Sequence, residues 1–460
     1  MIPRILISAA RKSSGKTTIA LGLASAWTEA GLDVRPFKKG PDFIDPAWLT
    51  RASGVSCHNL DFFMLGRSVV EENFLRHAAG GDVALIEGNH GYYDGQDLEG
   101  ADCGAALAEL LQVPVVLVVD CKGASRGIAA LVKGHLEFPG GEWIRGVILN
   151  NVATARHEQR LRAALERYCP VPVLGVIPRS REIAIEERHL GLQPVAEGDA
   201  PRERIRVIRE TIVAHVDLAG VWRLAASAPK VPAWEKRPLP VVTPLPSPTV
   251  RVGMALDEAT HFYYPENLAA LRQAGVELVP FSMLAAGDLP AGLDGLYLGG
   301  GFPEVFMEAI AANRGLLERI RVEAECGMPI FAECGGLMLL SEQIHWGERR
   351  ARMIGALPVD VRVEKRPVGY GYMRIEGSGE GAWPAAGIPV TCHEFHHSRV
   401  IRVGEGVGYA FRVLRGYGVD GVRDGLLYRN MLACYAHVHA QGAPGWAEFL
   451  ADFWRAKKKK

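Results

Sequence analysis

From residue 2 to about 223, short runs of Val, Ile and Leu alternate with stretches whose apolar residues recur every three or four positions. The runs are RILISAA, DVALIEG, VPVVLVVD, IRGVILNNV and VPVLGVIP. Strands covered on both faces read as continuous apolar runs rather than as strict alternation, so these segments predict buried parallel strands. Helices are expected between them at 17–30, 104–111 and 156–168. Strand–helix–strand repetition with right-handed crossovers gives a doubly wound α/β sheet. The texture then changes at 225–249, a proline-dense stretch without periodicity that reads as an extended linker. A second α/β block opens at 250 with VRVGMALD, an expected helix at 264–274, VELVPFS, and a strand ending in glycines, GLDGLYLGGG. After residue 340 the strands shorten (ARMIGALPVDVRV, YGYMRIE, IPVTCHEF, VGYAFRV), which predicts a mixed sheet with an antiparallel extension. The domain organisation is therefore 1–224, a linker at 225–249, and 250–456.

Composition narrows the function classes. Lys+Arg and Asp+Glu both number 52 in 460 residues, so the formal net charge is zero. Nucleic acid and anionic membranes call for a basic surface, and neither is expected as a partner. No apolar run reaches membrane-spanning length, and the N-terminus is too short for a signal peptide. Eight cysteines occur without a C-x-x-C pair, which argues against a zinc ribbon or a disulfide scaffold and for a reduced, cytoplasmic protein. The terminal KKKK is assigned no function.

After the first strand, AARKSSGKTTIALGLASAW reads as a phosphate loop entering a helix. Backbone N–H groups around Ser13, Ser14 and Gly15 can cradle phosphate oxygens, with the helix N-terminus adding partial positive charge. Lys16 would reach the β- and γ-phosphates and the Thr17 hydroxyl would ligate Mg²⁺. Ala10 stands where the phosphate-loop template has its first glycine. KKGPDFIDP places Asp42 and Asp45 in a proline-rich turn, and Glu87 ends a strand with Asp94 seven residues on. Mg²⁺ takes only one or two carboxylates besides phosphate oxygens and water. Glu87 is the first choice as its ligand, because ligands of α/β sheets bind at the C-terminal ends of strands, and Asp45 is the second. Asn150 is a candidate for the adenine edge.

In the second block, Cys334 stands between an apolar strand and an apolar helix in IFAECGGLMLL (330–340). A sharp strand-to-helix turn projects its side chain clear of the sheet, and a helix N-terminus favours thiolate charge. Cys334 thus reads as an activated nucleophile, with Gly335 and Gly336 allowing the bend and leaving room for a carbonyl. Gly300 and Gly301, after another strand, can supply oxyanion-hole N–H groups. CYAHVHA reads as a short strand with His437 and His439 on one face, either able to serve as base. HEFHH (393–397) matches a zinc-protease pattern, but its flanks are β-like, so the two histidines would not share a helix face.

Together SSGKTT, FKKGPDFIDP, EGNHGYYDG, VILNNV, ERHLGL, FYYPENL, GGGFPE, AECGGLMLL, HEFHHS and YAHVH resemble the cobyrinic acid a,c-diamide synthase family. These are glutamine-dependent tetrapyrrole amidases that fuse a dethiobiotin-synthetase-like ATPase to a class I glutaminase. The resemblance implies that glutamine is hydrolysed at Cys334 with His437 as base, and that ammonia passes to the ATP-dependent amidoligase domain. There ATP–Mg²⁺ phosphorylates a carboxylate and ammonia displaces phosphate. It implies nucleotide-binding roles for Ser13, Ser14, Gly15, Lys16, Thr17, Thr18, Lys38 and Asn150, metal positions at Thr17, Asp45 and Glu87, and substrate-handling positions at Asp42 and Asp94. The implied partners are L-glutamine and a carboxylate-bearing tetrapyrrole, with a homodimer allowed. The stretch EGNHGYYDGQDLEGADC is richer in acids than the family's usual sequence there, so a sirohydrochlorin-type substrate stays as an alternative. A nucleotide-switch ATPase of the partitioning type is a more distant alternative and leaves Cys334 without a task.

Overall fold

The computed structural model describes residues 2–180, 182–183, 187–188, 191–192, 199–231, 234, 245–379 and 387–456. About half of the expected linker, part of ERHLGL and the terminal lysines lie outside the described residues. The chain forms two compact units that divide after Val241, with Arg188–Gly191 grouped with the second.

The first unit is a seven-stranded sheet. Its strands are β1 (Arg4–Ala9), β2 (Val34–Lys39), β3 (His58–Leu60), β4 (Val83–Glu87), β5 (Val115–Asp120), β6 (Ile144–Val152) and β7 (Val173–Pro178). They stand in the order β3-β2-β4-β1-β5-β6-β7, every pairing parallel. The five apolar runs read from the sequence are β1, β4, β5, β6 and β7. Ile5, Leu6 and Ile7 have no exposed surface, as a strand covered on both faces requires. β2 escaped the sequence reading because VRPFKK holds a proline and two lysines, a poor pattern for a buried strand. Register pairs Lys38 with Glu87 and Ile7 with Glu87, so the C-terminal ends of β1, β2 and β4 share one edge. The chain leaves β1 through helix α1 (Lys16–Glu29) and leaves β2 through α2 (Ile44–Ser53). Since β1 lies between β4 and β5, its end is the switch point where such sheets bind ligands.

The second unit holds a nine-stranded mixed sheet. Val276–Phe281, Val250–Ala255, Gly295–Leu298, Ile330–Glu333 and Met431–Cys434 form its parallel part. Arg423–Tyr428, Gly408–Arg415, Gly369–Gly377 and Pro389–His396 continue it antiparallel. The expected run ARMIGALPVDVRV is split: Arg349–Arg352 and Val359–Val363 are separate strands of a second, four-stranded sheet. CYAHVHA is not the strand expected either. Its strand ends at Cys434, and beyond it only His437 makes an isolated bridge, to His393.

Candidate active sites

The loop between β1 and α1 has two residues with left-handed backbone, Ser13 at φ 58° and Gly15 at φ 94°. A Cβ on Gly15 would lie 2.2 Å from Asn150 Nδ2. That amide donates to Ser14 O at 2.9 Å, and Ser14 Oγ donates to Arg11 O at 2.9 Å. The loop is thus closed on itself and braced from β6. Asn150, expected at the adenine edge, donates an amide N–H to this brace.

Lys38, Asp45, Glu87 and Thr17 converge at the shared strand edge. Lys38 is 2% exposed. Its ammonium pairs with Asp45, lies 3.0 Å from Glu87 Oε1 and donates to Gly88 O at 3.1 Å. Thr17 Oγ1 donates to Glu87 Oε1 at 2.5 Å. Asp45 sits in the first turn of α2 rather than in a free turn, and the Asp42 carboxylate accepts from the N–H groups of Ile44 and Asp45 at 3.3 and 3.1 Å. Burial opposes charge on all of them, and the neighbours decide which group yields. The carboxylates Asp45 and Glu87 outweigh burial and hold Lys38 well above the usual lysine range. Lys38 in turn outweighs burial at Asp45 and keeps it lowered. Burial and the Asp45 charge raise Glu87 to about 7, and the same two causes raise Asp42 to about 7. Lys16 falls to about 8 through burial and repulsion from Lys38. Two cations thus face three carboxyl groups, of which Glu87 is buried and Asp42 and Asp45 are half-buried, and the acids titrate as a coupled set.

Glu87 Oε2 is buried with no hydrogen-bond partner. An orphaned carboxylate oxygen beside the Thr17 hydroxyl is the donor set a hard divalent cation takes, so these residues fit Mg²⁺. Thr18 Oγ1 reaches Ile183 O at 3.5 Å. Asp94 is exposed, on the loop after β4, and accepts from Gly91 N–H at 2.9 Å. That loop is tied to the end of β1 by Tyr92 N–H donating to Ala9 O at 2.7 Å.

In the second unit Cys334 takes φ 49° and ψ −99°, a conformation that costs a non-glycine residue about 1–3 kcal/mol and that clusters at functional turns. The bend therefore falls on the cysteine itself, not on Gly335 and Gly336 as expected. The glycines serve close approach. A Cβ on Gly336 would lie 2.0 Å from Leu298 O, and one on Gly335 would lie 2.8 Å from Gly301 N. This clamps the elbow against the Gly300–Gly301 loop. A Cβ on Gly300 would meet His437 Cε1 at 2.6 Å, so the imidazole packs on the same loop.

The thiol does not project into the open as expected. Cys334 is 4% exposed, and its Sγ lies 3.7 Å from Phe395 O on the Pro389–His396 strand. Burial, with the Glu304 charge next, pushes its pKa well up, so the resting group is a thiol rather than an activated thiolate. Burial, reinforced by His393 and His396, lowers His437 to about 3 and leaves it a neutral base. His439 does not share its face: its Nε2 lies 3.4 Å from Glu266 Oε2 and its ring is 4.8 Å from that of Tyr264.

Because the segment after Cys434 leaves the sheet, its backbone needs other partners. Asp424 accepts from the N–H groups of Tyr435 and Ala436 at 3.0 Å each. Glu333 Oε1 accepts from Val438 N–H at 3.5 Å, and Asn267 bonds Val438 O at 2.6 Å and Ala440 N at 2.7 Å. His437 itself exchanges backbone hydrogen bonds with His393 at 2.7 and 3.1 Å. His393–His396 of HEFHH thus lie on a strand, as the flanks indicated, and His393 meets His437 through its backbone. Asp424, Asn267 and Phe395 were missed by the sequence reading, since backbone contacts leave no side-chain signal.

Comparison with known proteins agrees with this layout. Residues 5–192 match the CobQ/CobB/MinD/ParA nucleotide binding domain, and residues 251–444 match the CobB/CobQ-like glutamine amidotransferase domain. The chain is therefore an amidating ligase of the class that joins a nucleotide-binding domain to a glutamine amidotransferase domain. It is 55% identical over 461 residues to a cobyrinate a,c-diamide synthase of Magnetococcus marinus, covering 99% of this chain and 98% of that one. Proteins of the same name from Methanosarcina acetivorans and Archaeoglobus fulgidus are 39% and 38% identical, covering 95% of this chain in each case and 92% and 94% of theirs. The chain belongs to the cobyrinate a,c-diamide synthase family, and it is a glutamine-hydrolysing enzyme. The sirohydrochlorin-type and partitioning-type alternatives are not favoured. Among the described residues no helix is long and apolar enough to cross a membrane.

Proposed function

We propose that the chain amidates the a and c acetate carboxylates of cobyrinate, a tetrapyrrole acid, with ATP and glutamine, and that Cys334 and His437 carry the glutaminase half. The observation behind this is the strained Cys334 elbow, held against the Gly300–Gly301 loop on which His437 packs. The neutral imidazole takes the thiol proton as sulfur attacks the glutamine carboxamide. Backbone N–H groups of the glycine loop stabilise the resulting oxyanion, and ammonia leaves with the proton that His437 returns. Water then releases glutamate from the thioester.

In the first unit the Ser13–Gly15 loop and Lys16 hold the ATP phosphates, with Lys38 fixing the acids and Asn150 bracing the loop. Thr17, Glu87 and Asp45 would hold Mg²⁺, which offsets phosphate charge when bound. A carboxylate is a poor electrophile, and transfer of the γ-phosphoryl group gives it a leaving group that ammonia displaces. Asp42 and Asp94 lie on the two loops that border this edge and are assigned to the acceptor. The scattered cysteines, without a C-x-x-C pair, support a cytoplasmic setting. The test is mass spectrometry of cobyrinate incubated with the protein, ATP, Mg²⁺ and glutamine. Two successive exchanges of hydroxyl for amine are expected, and an unchanged acid would refute the assignment.

A further inference from the structure

The loop after the Gly295–Leu298 strand carries one charged side chain that the two half-reactions leave without a task. Glu304 is 4% exposed, and its Oε2 is buried without a hydrogen-bond partner. Pro303, just before it, places Cδ 3.1 Å from where a Cβ on Gly335 would lie, so this loop lies directly on the nucleophile turn. Among charged neighbours, Glu304 acts most strongly on the Cys334 thiol, and it also acts on the Tyr435 phenol. A buried acid with one bare oxygen is unfavourable unless a partner arrives to meet it.

We propose that Glu304 receives the α-ammonium group of the substrate glutamine. This rests on the reading of Cys334 as the glutaminase nucleophile. A desolvated carboxylate is best met by a cation with several N–H donors, and the α-ammonium is the only cation glutamine offers. The carboxamide N–H₂ is neutral and leaves as ammonia. The pairing also makes chemical sense for the nucleophile: the arriving ammonium compensates the negative charge that opposes thiolate formation at Cys334. Selection of substrate and ionisation of the thiol then become one event.

The test compares glutamine with glutaramate (4-carbamoylbutanoate), which keeps the carboxamide and the carboxylate but lacks the α-amino group. Glutamate or glutarate release is measured for wild type and for Glu304→Gln, a substitution of equal size. For glutamine kcat/KM should fall about 100-fold in the variant, most of it in KM, while glutaramate hydrolysis changes less than about threefold. Equal loss on both substrates would overturn the proposal, since a merely structural role or a contact to the carboxamide would act on both. Unchanged glutamine hydrolysis would overturn it too. Ammonium-driven amidation by Glu304→Gln reports whether the chain is folded, and Glu304→Asp should recover part of the preference for glutamine. If wild type releases no glutamate, or if Cys334→Ser still does, the nucleophile assignment fails instead, and the two failures are told apart.

Discussion

Lys38 and His437 are both deeply buried bases, yet one keeps its charge and the other loses it. At the nucleotide end Asp45 and Glu87 compensate Lys38, so a dense cluster of charge survives desolvation. At the glutaminase end burial acts without such compensation: His437 is neutral, Cys334 is a thiol, and Glu304 is raised to about 7. The first site is therefore assembled electrostatically before its ligand arrives, whereas the second holds a neutral imidazole and a thiol and leaves Glu304 uncompensated until its ligand arrives. The chemistry of the two halves asks for this difference. Phosphate binding needs fixed cations and acids in place, while a resting thiolate would invite oxidation and alkylation.

The contrast breaks most visibly at Lys16. Lys16→Ala should lower amidation by about 10³-fold with either glutamine or ammonium as nitrogen source, while glutamate release from glutamine persists. Continued amidation would remove the phosphate-loop lysine from the mechanism. Lys38→Met comes next, because it strands Asp45 and Glu87 in the interior. Urea unfolding should report a loss of about 3–5 kcal/mol; a loss of under about 1 kcal/mol, as for an exposed pair, would show that the cluster is not held by compensation. Gly336→Ala probes the other end, where the added methyl would meet Leu298 O. A loss of about 1–3 kcal/mol is expected, with glutaminase activity falling and ammonium-driven amidation largely kept. Wild-type stability in this variant would mean that the elbow is not clamped.

The smallest effect is the most discriminating. Cys334 is buried, while Cys326 is exposed. Iodoacetamide at neutral pH should label Cys326 first. Since burial raises the Cys334 pKa, its thiolate is the minor form across pH 7–9 and grows about tenfold with each pH unit, without a plateau. Peptide mapping of the labelled sites reads this directly, and a plateau below pH 8 would show a resting thiolate.

Much of this was legible in the chain, and the exceptions follow a rule. The apolar runs announced β1, β4, β5, β6 and β7 because strands buried on both faces have no room for polar residues. β2 stayed hidden because Lys38 is buried by virtue of Asp45 and Glu87, a pairing that only the fold brings about. Cys334, Lys16 and Glu87 were found from their places at strand ends and helix starts. The segment carrying His437 was misread since alternation mimics a strand, whereas its backbone is held by Asp424, Glu333 and Asn267 from distant parts of the sequence. Glu304 escaped notice because an acid after Pro303 reads as a surface loop residue, and only burial reveals that it has no partner.

The central claim is that sulfur chemistry in one unit supplies nitrogen to phosphoryl chemistry in the other. Assaying Cys334→Ser for diamide formation with each nitrogen source in parallel tests it most directly. The account predicts that the glutamine-driven reaction disappears while the ammonium-driven reaction proceeds near the wild-type rate. Survival of the first, or loss of both in a folded protein, would contradict it.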